Sequence, residues 1–289
     1  MSLGVFLVLA ILFAALLHAS WNALIKSGGD KSLDTALIHS LGVFFALPAV
    51  LWFGLPPASA WPFIAASSLI HVAYYVALAG AYRYGDLGLT YPIMRGSAPL
   101  LVAVVSALLL GEHLSPQAWL GVVVLSAGVL IVGLARAGHD AANAGNRRKA
   151  LGFALANACI IASYTVIDGM GVRAAGDAFS YAAALFLFDG LPYMALVLWR
   201  AGPRRGEALR YMRARAPLAL AGTAASLGSY AIALWAMLHV PVALVAALRE
   251  TSVIFAALIG TWFLGERFGW ARAAGTALVV AGVATLRFS

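Results

Sequence analysis

The sequence predicts an all-α integral membrane protein, with ten transmembrane helices in two inverted five-helix repeats around a central cavity. Three observations predict it. The 289 residues are 63% apolar and 10% charged, with a mean hydropathy of +0.92, whereas about a quarter of the residues of a soluble domain are charged. The apolar residues fall in long runs, each near the roughly 20 residues that a helix needs to cross a hydrocarbon core of about 30 Å. One 22-residue run is also written twice: LLLGEHLSPQAWLGVVVLSAGV (Leu108 to Val129) returns 154 positions later as WFLGERFGWARAAGTALVVAGV (Trp262 to Val283).

The runs occupy residues 3 to 26, 33 to 53, 61 to 84, 88 to 110 and 115 to 136, then 148 to 173, 177 to 200, 217 to 238, 242 to 264 and 268 to 288. The first has no Lys or Arg before it and too long an apolar core for a signal peptide, so it reads as a retained helix. Stretches such as LGVFLVLAILFAALL do not alternate apolar with polar residues, which argues against an outer-membrane barrel. Pro48 lies in the second run, Pro192 in the seventh, and Pro92 and Pro99 flank Arg95 in the fourth. Each proline removes a backbone donor and is expected to kink its helix; the ninth run has none. The fourth run ends at Leu110-Gly111-Glu112, where Gly111 suits a left-handed cap, and Ser115-Pro116 supplies an N-cap and first turn for the fifth. Glu112 and its repeat mate Glu266 are therefore expected in structural hairpins.

Residues Ala137 to Asn146 (AGHDAANAGN) contain no apolar run, and they divide the chain into a first repeat (1–136), a polar linker (137–147) and a second repeat (148–289). In the tenth run Ala273, Ala277 and Ala281 recur every four residues, a stripe suited to packing between the halves or to a dimer. Trp52, Trp61, Trp199 and Trp270 stand at run ends, where aromatic anchors sit. The one cysteine, Cys159, excludes disulfides and cysteine metal sites.

The formal charge of +8 reports orientation. Fifteen Lys and Arg lie in or beside the odd-numbered loops, from Lys26 and Lys31 through Arg147, Arg148 and Lys149 to Arg267 and Arg272; only Arg173 and Arg287 lie on the other face. The positive-inside rule then puts the odd loops in the cytoplasm and both termini outside. The most basic segment, Gly202 to Ala216, reads as a topological anchor rather than a lipid or partner site. Five runs per half is an odd number, so the second half enters from the opposite side and the repeats are inverted. Such repeats pack around a midplane site that opens to either side, which points to a transporter.

At this point the chain resembles the EamA type of the drug/metabolite transporter superfamily, over nearly its whole length. The resemblance is carried by Leu110-Gly111-Glu112 with Gly121 and Gly128, and by Leu264-Gly265-Glu266 with Gly275 and Gly282. It implies an inner-membrane secondary transporter of a small metabolite, often an exporter of amino acids or related compounds, working by alternating access. Members are often described with cytoplasmic termini, and the charge count here gives the reverse.

Ionisable groups at lipid depth are costly and mark function. Arg95 and Arg249 occupy equivalent places in the two halves. Each is expected to grip a substrate anion in bidentate geometry or to form an internal ion pair with Glu250, Asp168 or Asp189. Glu250 is a candidate to bind a substrate ammonium or to carry a coupling proton. Asp189, with Pro192 and Tyr193 on its face, is expected in transport or in a kink-stabilising hydrogen bond, and Asp168 is expected to face a loop, with coupling as the other role. His18, Trp21 and Asn22 share a face of the first run, and His71, Tyr74 and Tyr75 share one of the third. With Tyr164 they are expected to wall a cavity suited to an amphipathic or cationic solute.

No His-Glu-x-x-His, Gly-x-Ser-x-Gly, P-loop or dinucleotide fingerprint occurs, so neither a membrane-embedded enzyme nor transport driven by ATP on this chain is expected. No cofactor, metal or nucleic acid is expected; the partners are a small-molecule substrate and the bilayer, for a monomer or a homodimer. Within transport, an amino-acid-like zwitterion is weighed against phosphorylated or sugar-linked anions. Two deep arginines serve either, and the deep acid and aromatic wall favour the zwitterion.

Overall fold

A computed structural model describes residues 4–84, 87–134, 144–264 and 269–288, which form α helices and two short 3-10 turns; no strand occurs among them. The helices are α1 (Val5–Lys26), α2 (Lys31–Ser40), α3 (Gly42–Phe53), α4 (Trp61–Tyr84), α5 (Leu87–Leu109), α6 (Pro116–Leu134), α7 (Ala144–Ala175), α8 (Ala178–Phe188), α9 (Gly190–Ala201), α10 (Arg205–Met237), α11 (Val242–Arg249), α12 (Ser252–Leu264) and α13 (Trp270–Arg287). Against an expected ten, seven stretches of the described residues are long and apolar enough to cross a membrane; the longest, Ala178–Met237, runs through α8, α9 and α10. Most of the linker, Gly265, Glu266 and Arg267 lie outside the described residues.

Three of the expected spans are interrupted, and not where prolines alone would put the breaks. α5 continues as one helix through Pro92 and Pro99, whereas the proline-free ninth run stops at Arg249 and resumes at Ser252. Here the backbone switches to shorter-range bonds: Glu250 N donates to Ala247 O at 3.0 Å and Thr251 N to Leu248 O at 3.1 Å. The second run is interrupted at Leu41, well before Pro48, and Thr223 Oγ1 of α10 donates to the nearby Ile38 carbonyl at 2.7 Å. Only the break at Asp189 fits its proline, because Pro192 has no N–H for the Phe188 carbonyl.

The halves exchange partners reciprocally. α1 packs on α10 as α4 packs on α7, and α1 packs on α12 as α7 packs on α5. α6 and α13, the repeat mates, share the most extensive contact among the described helices and meet through glycines. A Cβ built on Gly128 would lie 2.7 Å from Val279 N and 2.8 Å from Gly275 O, and one on Gly282 would lie 2.7 Å from Leu125 Cβ. The alanine stripe does not serve this contact: Ala277 and Ala281 are exposed. Glycine lets the axes approach closer than alanine can, so the glycine face turns inward. Trp52, Trp199 and Trp270 are exposed, whereas Trp61 packs against Phe188 with ring centroids 6.1 Å apart.

Candidate functional site

α5 and the end of α11 bring the two repeat-mate arginines to one small cavity, lined among others by Arg95, Pro99, Tyr164, Thr165, Arg249 and Glu250. The break after Arg249 sets Glu250 off the helix, and its carboxylate reaches the other half, with Arg95 Nε 2.9 Å from Glu250 Oε2. Both groups are buried. Of the ion-pair partners expected for the arginines, Arg95 thus takes Glu250. Arg249 takes none: among the described residues it makes no hydrogen bond or ion pair, and its guanidinium lies over the Tyr230 ring, 5.2 Å from the centroid. It is 9% exposed. Two cations and one carboxylate leave the cavity with one formal positive charge.

Asp168 lies below Tyr230 and is fully buried, which overturns its expected loop-facing place. Tyr181 donates to it at 2.8 Å and Tyr230 donates to its other oxygen, so the buried carboxylate is satisfied by hydroxyls. Tyr230 therefore bridges Asp168 to Arg249. Sequence reasoning missed Tyr181 and Tyr230; the polar spacing Thr223, Ser226, Ser229, Tyr230 in the eighth run was the signal that pointed to the latter.

An aromatic wall continues from the cavity. Tyr164 stacks on His71 with centroids 4.4 Å apart and meets Tyr74 edge-on at 6.2 Å. His71 faces Asp189, as does His39. The ring of His39 meets Trp21 at 5.6 Å, and Trp21 meets His18 at 5.1 Å. Most of the expected residues are thus joined, with two exceptions. Asn22 donates to the His18 carbonyl of its own helix at 2.8 Å, and the side chain of Tyr75 lies outside those described. Asn157 is an interhelical contact, donating to Met94 Sδ at 2.9 Å.

Glu112 does more than end a hairpin. Gly111 takes the expected left-handed turn, with φ 64°, and Ser115 Oγ accepts from Ala118 N at 3.1 Å. The Glu112 carboxylate then crosses to the second half, accepting from Arg173 Nη2 at 2.6 Å and from Val242 N, at the start of α11, at 3.0 Å. Arg173 also donates to the Met237 carbonyl at 3.1 Å. At the other end of the helices Asp34 accepts from Arg215 Nε at 2.7 Å and from Tyr211 at 2.9 Å, tying α2 to α10. In both places a carboxylate from the first half holds an arginine from the second.

Each half of the chain matches the model of the EamA-like transporter family, at residues 5–134 and 148–288. An uncharacterized transporter in the cobO 3' region of Sinorhizobium sp is 36% identical over 76 residues, which is 26% of this chain and 53% of that protein. The match therefore spans about half the length of that relative. A solved crystal structure with 23% identity aligns with a TM-score of 0.74 over 96% of this chain and 95% of its own. At that identity the likeness shows the fold alone. Matched in both halves by the family model and folded as a multi-pass helical protein, the chain belongs to the EamA-like transporter family.

Proposed function

We propose that Arg249 binds the carboxylate of a small zwitterion, an amino acid or a close relative, and that the protein exports it across the inner membrane by alternating access. One observation carries this reading: a buried guanidinium with no hydrogen bond or ion pair among the described residues faces a cavity. A buried charge in that state is costly, and an incoming carboxylate relieves it with two parallel bonds. The single formal positive charge favours a monoanionic group over a phosphate dianion, because Glu250 already answers Arg95. Tyr164 lines the cavity and offers a ring face to the ammonium end. The charge count along the loops supports odd loops in the cytoplasm, and ten spans in two inverted halves supply the two-sided access. The chain acts as a carrier and not as an enzyme.

The test is thermal unfolding of purified protein against amino acids, aminophosphonates and sugar phosphates, since a specific ligand stabilises the fold in proportion to its occupancy. Arg249→Gln keeps a donor and removes the charge. It should weaken the stabilising ligand by about 1.5–3 kcal/mol, or roughly 10- to 150-fold, without loss of folded protein. Stabilisation by sugar phosphates alone, or a ligand shift unchanged in Arg249→Gln, overturns the proposal.

A further inference from the structure

Asp189 stands at the break between α8 and α9, its side chain 5% exposed. His39 Nδ1 of α2 is 3.6 Å from one carboxylate oxygen and His71 Nδ1 of α4 is 3.4 Å from the other. Among the described residues no Lys or Arg lies within ion-pair distance of it. The elements packed around the break add little charge: α3 and the apolar part of α10 contain no Asp, Glu, Lys or Arg. His18 of α1 lies one ring beyond His39, through Trp21, and Asp168 and Tyr164 of α7 lie beyond His71.

A buried carboxylate without a fixed cation stays in the core only if its charge is compensated. The two imidazoles compensate it when the three side chains together hold one proton more than an ionised acid with two neutral rings. The hydrogen bonding of His71 leaves its second ring nitrogen for that proton. Its Nδ1 is 2.9 Å from the Ser67 carbonyl, which only accepts, so this nitrogen carries a hydrogen and Nε2 remains to take or release another.

The cluster also sits where the halves cross. A Cβ on Gly190 would lie 2.3 Å from the His39 carbonyl carbon, so α2 of one half and α9 of the other touch by backbone beside Asp189. The break in the second run, at Leu41, is two residues from His39. Charge in the cluster therefore acts on a backbone contact between the halves.

We infer that His39, Asp189 and His71 form a proton-binding site whose proton holds the crossing of α2 and α9 together, and that this is the coupling proton of the carrier. The coupling role rests on the carrier reading above; the proton site does not, and it is tested without substrate. The proton comes from water on one face and resides on an imidazole nitrogen or a carboxylate oxygen of the cluster. Its loss leaves an ionised Asp189 uncompensated and loosens the crossing.

Amide hydrogen exchange of the full chain in detergent, corrected for intrinsic rates and followed from mildly acidic to alkaline pH, reads this directly. Peptides covering 37–44 and 186–193 should lose protection in one step as pH rises, by about tenfold or more, the factor that corresponds to one unit of pKa difference. Asp189→Asn has no charge to compensate, so protection there should be flat with pH. If that variant does not fold, His71→Gln serves, and it should shift the midpoint of the step. A flat wild-type profile, a step that persists in Asp189→Asn, or a midpoint unmoved in His71→Gln overturns the inference. Failure of amino acids to stabilise the protein would sink the carrier's substrate and leave this step in place.

Discussion

Replacing Gly128 with Ala tests whether the halves are held by backbone contact between α6 and α13. The added methyl carbon would lie 2.7 Å from Val279 N and 2.8 Å from Gly275 O. Carbon contacts are comfortable near 3.5 Å, so the helices must part by about 0.7 Å, and a gap of 0.5–1 Å forfeits a quarter to a half of each dispersion contact along the pair. Overpacking of this kind costs about 1–3 kcal/mol. Against it stands the gain of roughly 0.5–1 kcal/mol from replacing a helical glycine. Gly152 of α7 separates the two terms, because nothing lies within 4 Å of a Cβ built there and its backbone is helical. Gly152→Ala should hold or raise the unfolding midpoint of purified protein, and Gly128→Ala should lower it, the two differing by about 1–3 kcal/mol. Equal midpoints would refute the close approach of α6 and α13.

Two more outcomes follow from the site and from the charge distribution. Arg95→Gln leaves Glu250 buried without its cation and should destabilise the fold by about 3–5 kcal/mol. Adding Glu250→Gln should restore most of that loss, as a double-mutant cycle of unfolding measures; additive losses would refute the pairing. A reporter fused after Ser289 should register on the periplasmic side, as the fifteen basic residues of the odd loops require, and a cytoplasmic signal would reverse the proposed orientation.

The legible parts of the sequence were those written in local or repeated pattern. The duplicated Gly-Glu segments, the cap at Gly111 and the Ser115-Pro116 start of α6 were visible because each depends on residues within a turn of one another. Arg95, Arg249 and Glu250 stood out because charge is rare at such depth. Which arginine would keep its charge open was not readable: the answer depends on a break at Glu250 that no proline announces, and on a partner about 150 positions away. The burial of Asp168 was not legible, because its neighbours in sequence say little about hydroxyls arriving from Tyr181 and Tyr230. The prolines misled for a related reason. α6 packs on Pro92 of α5 so closely that a Cβ on Gly133 would overlap the proline ring, so tertiary contact supports a helix that local rules would interrupt.

The position that answers Arg95 has a telling repeat mate. Glu250 corresponds to Gly96, and the space where a side chain would stand beside Gly96 is filled by Leu130, whose Cγ would be 2.6 Å from an added Cβ. Two identical halves meeting on a symmetry axis can hold only an even formal charge at a site they share: both arginines answered, or neither. Joining the halves in one chain releases them from that parity. One copy could gain an acid while the other kept a glycine, and the shared cavity acquired an odd charge, a value open only to halves that have diverged.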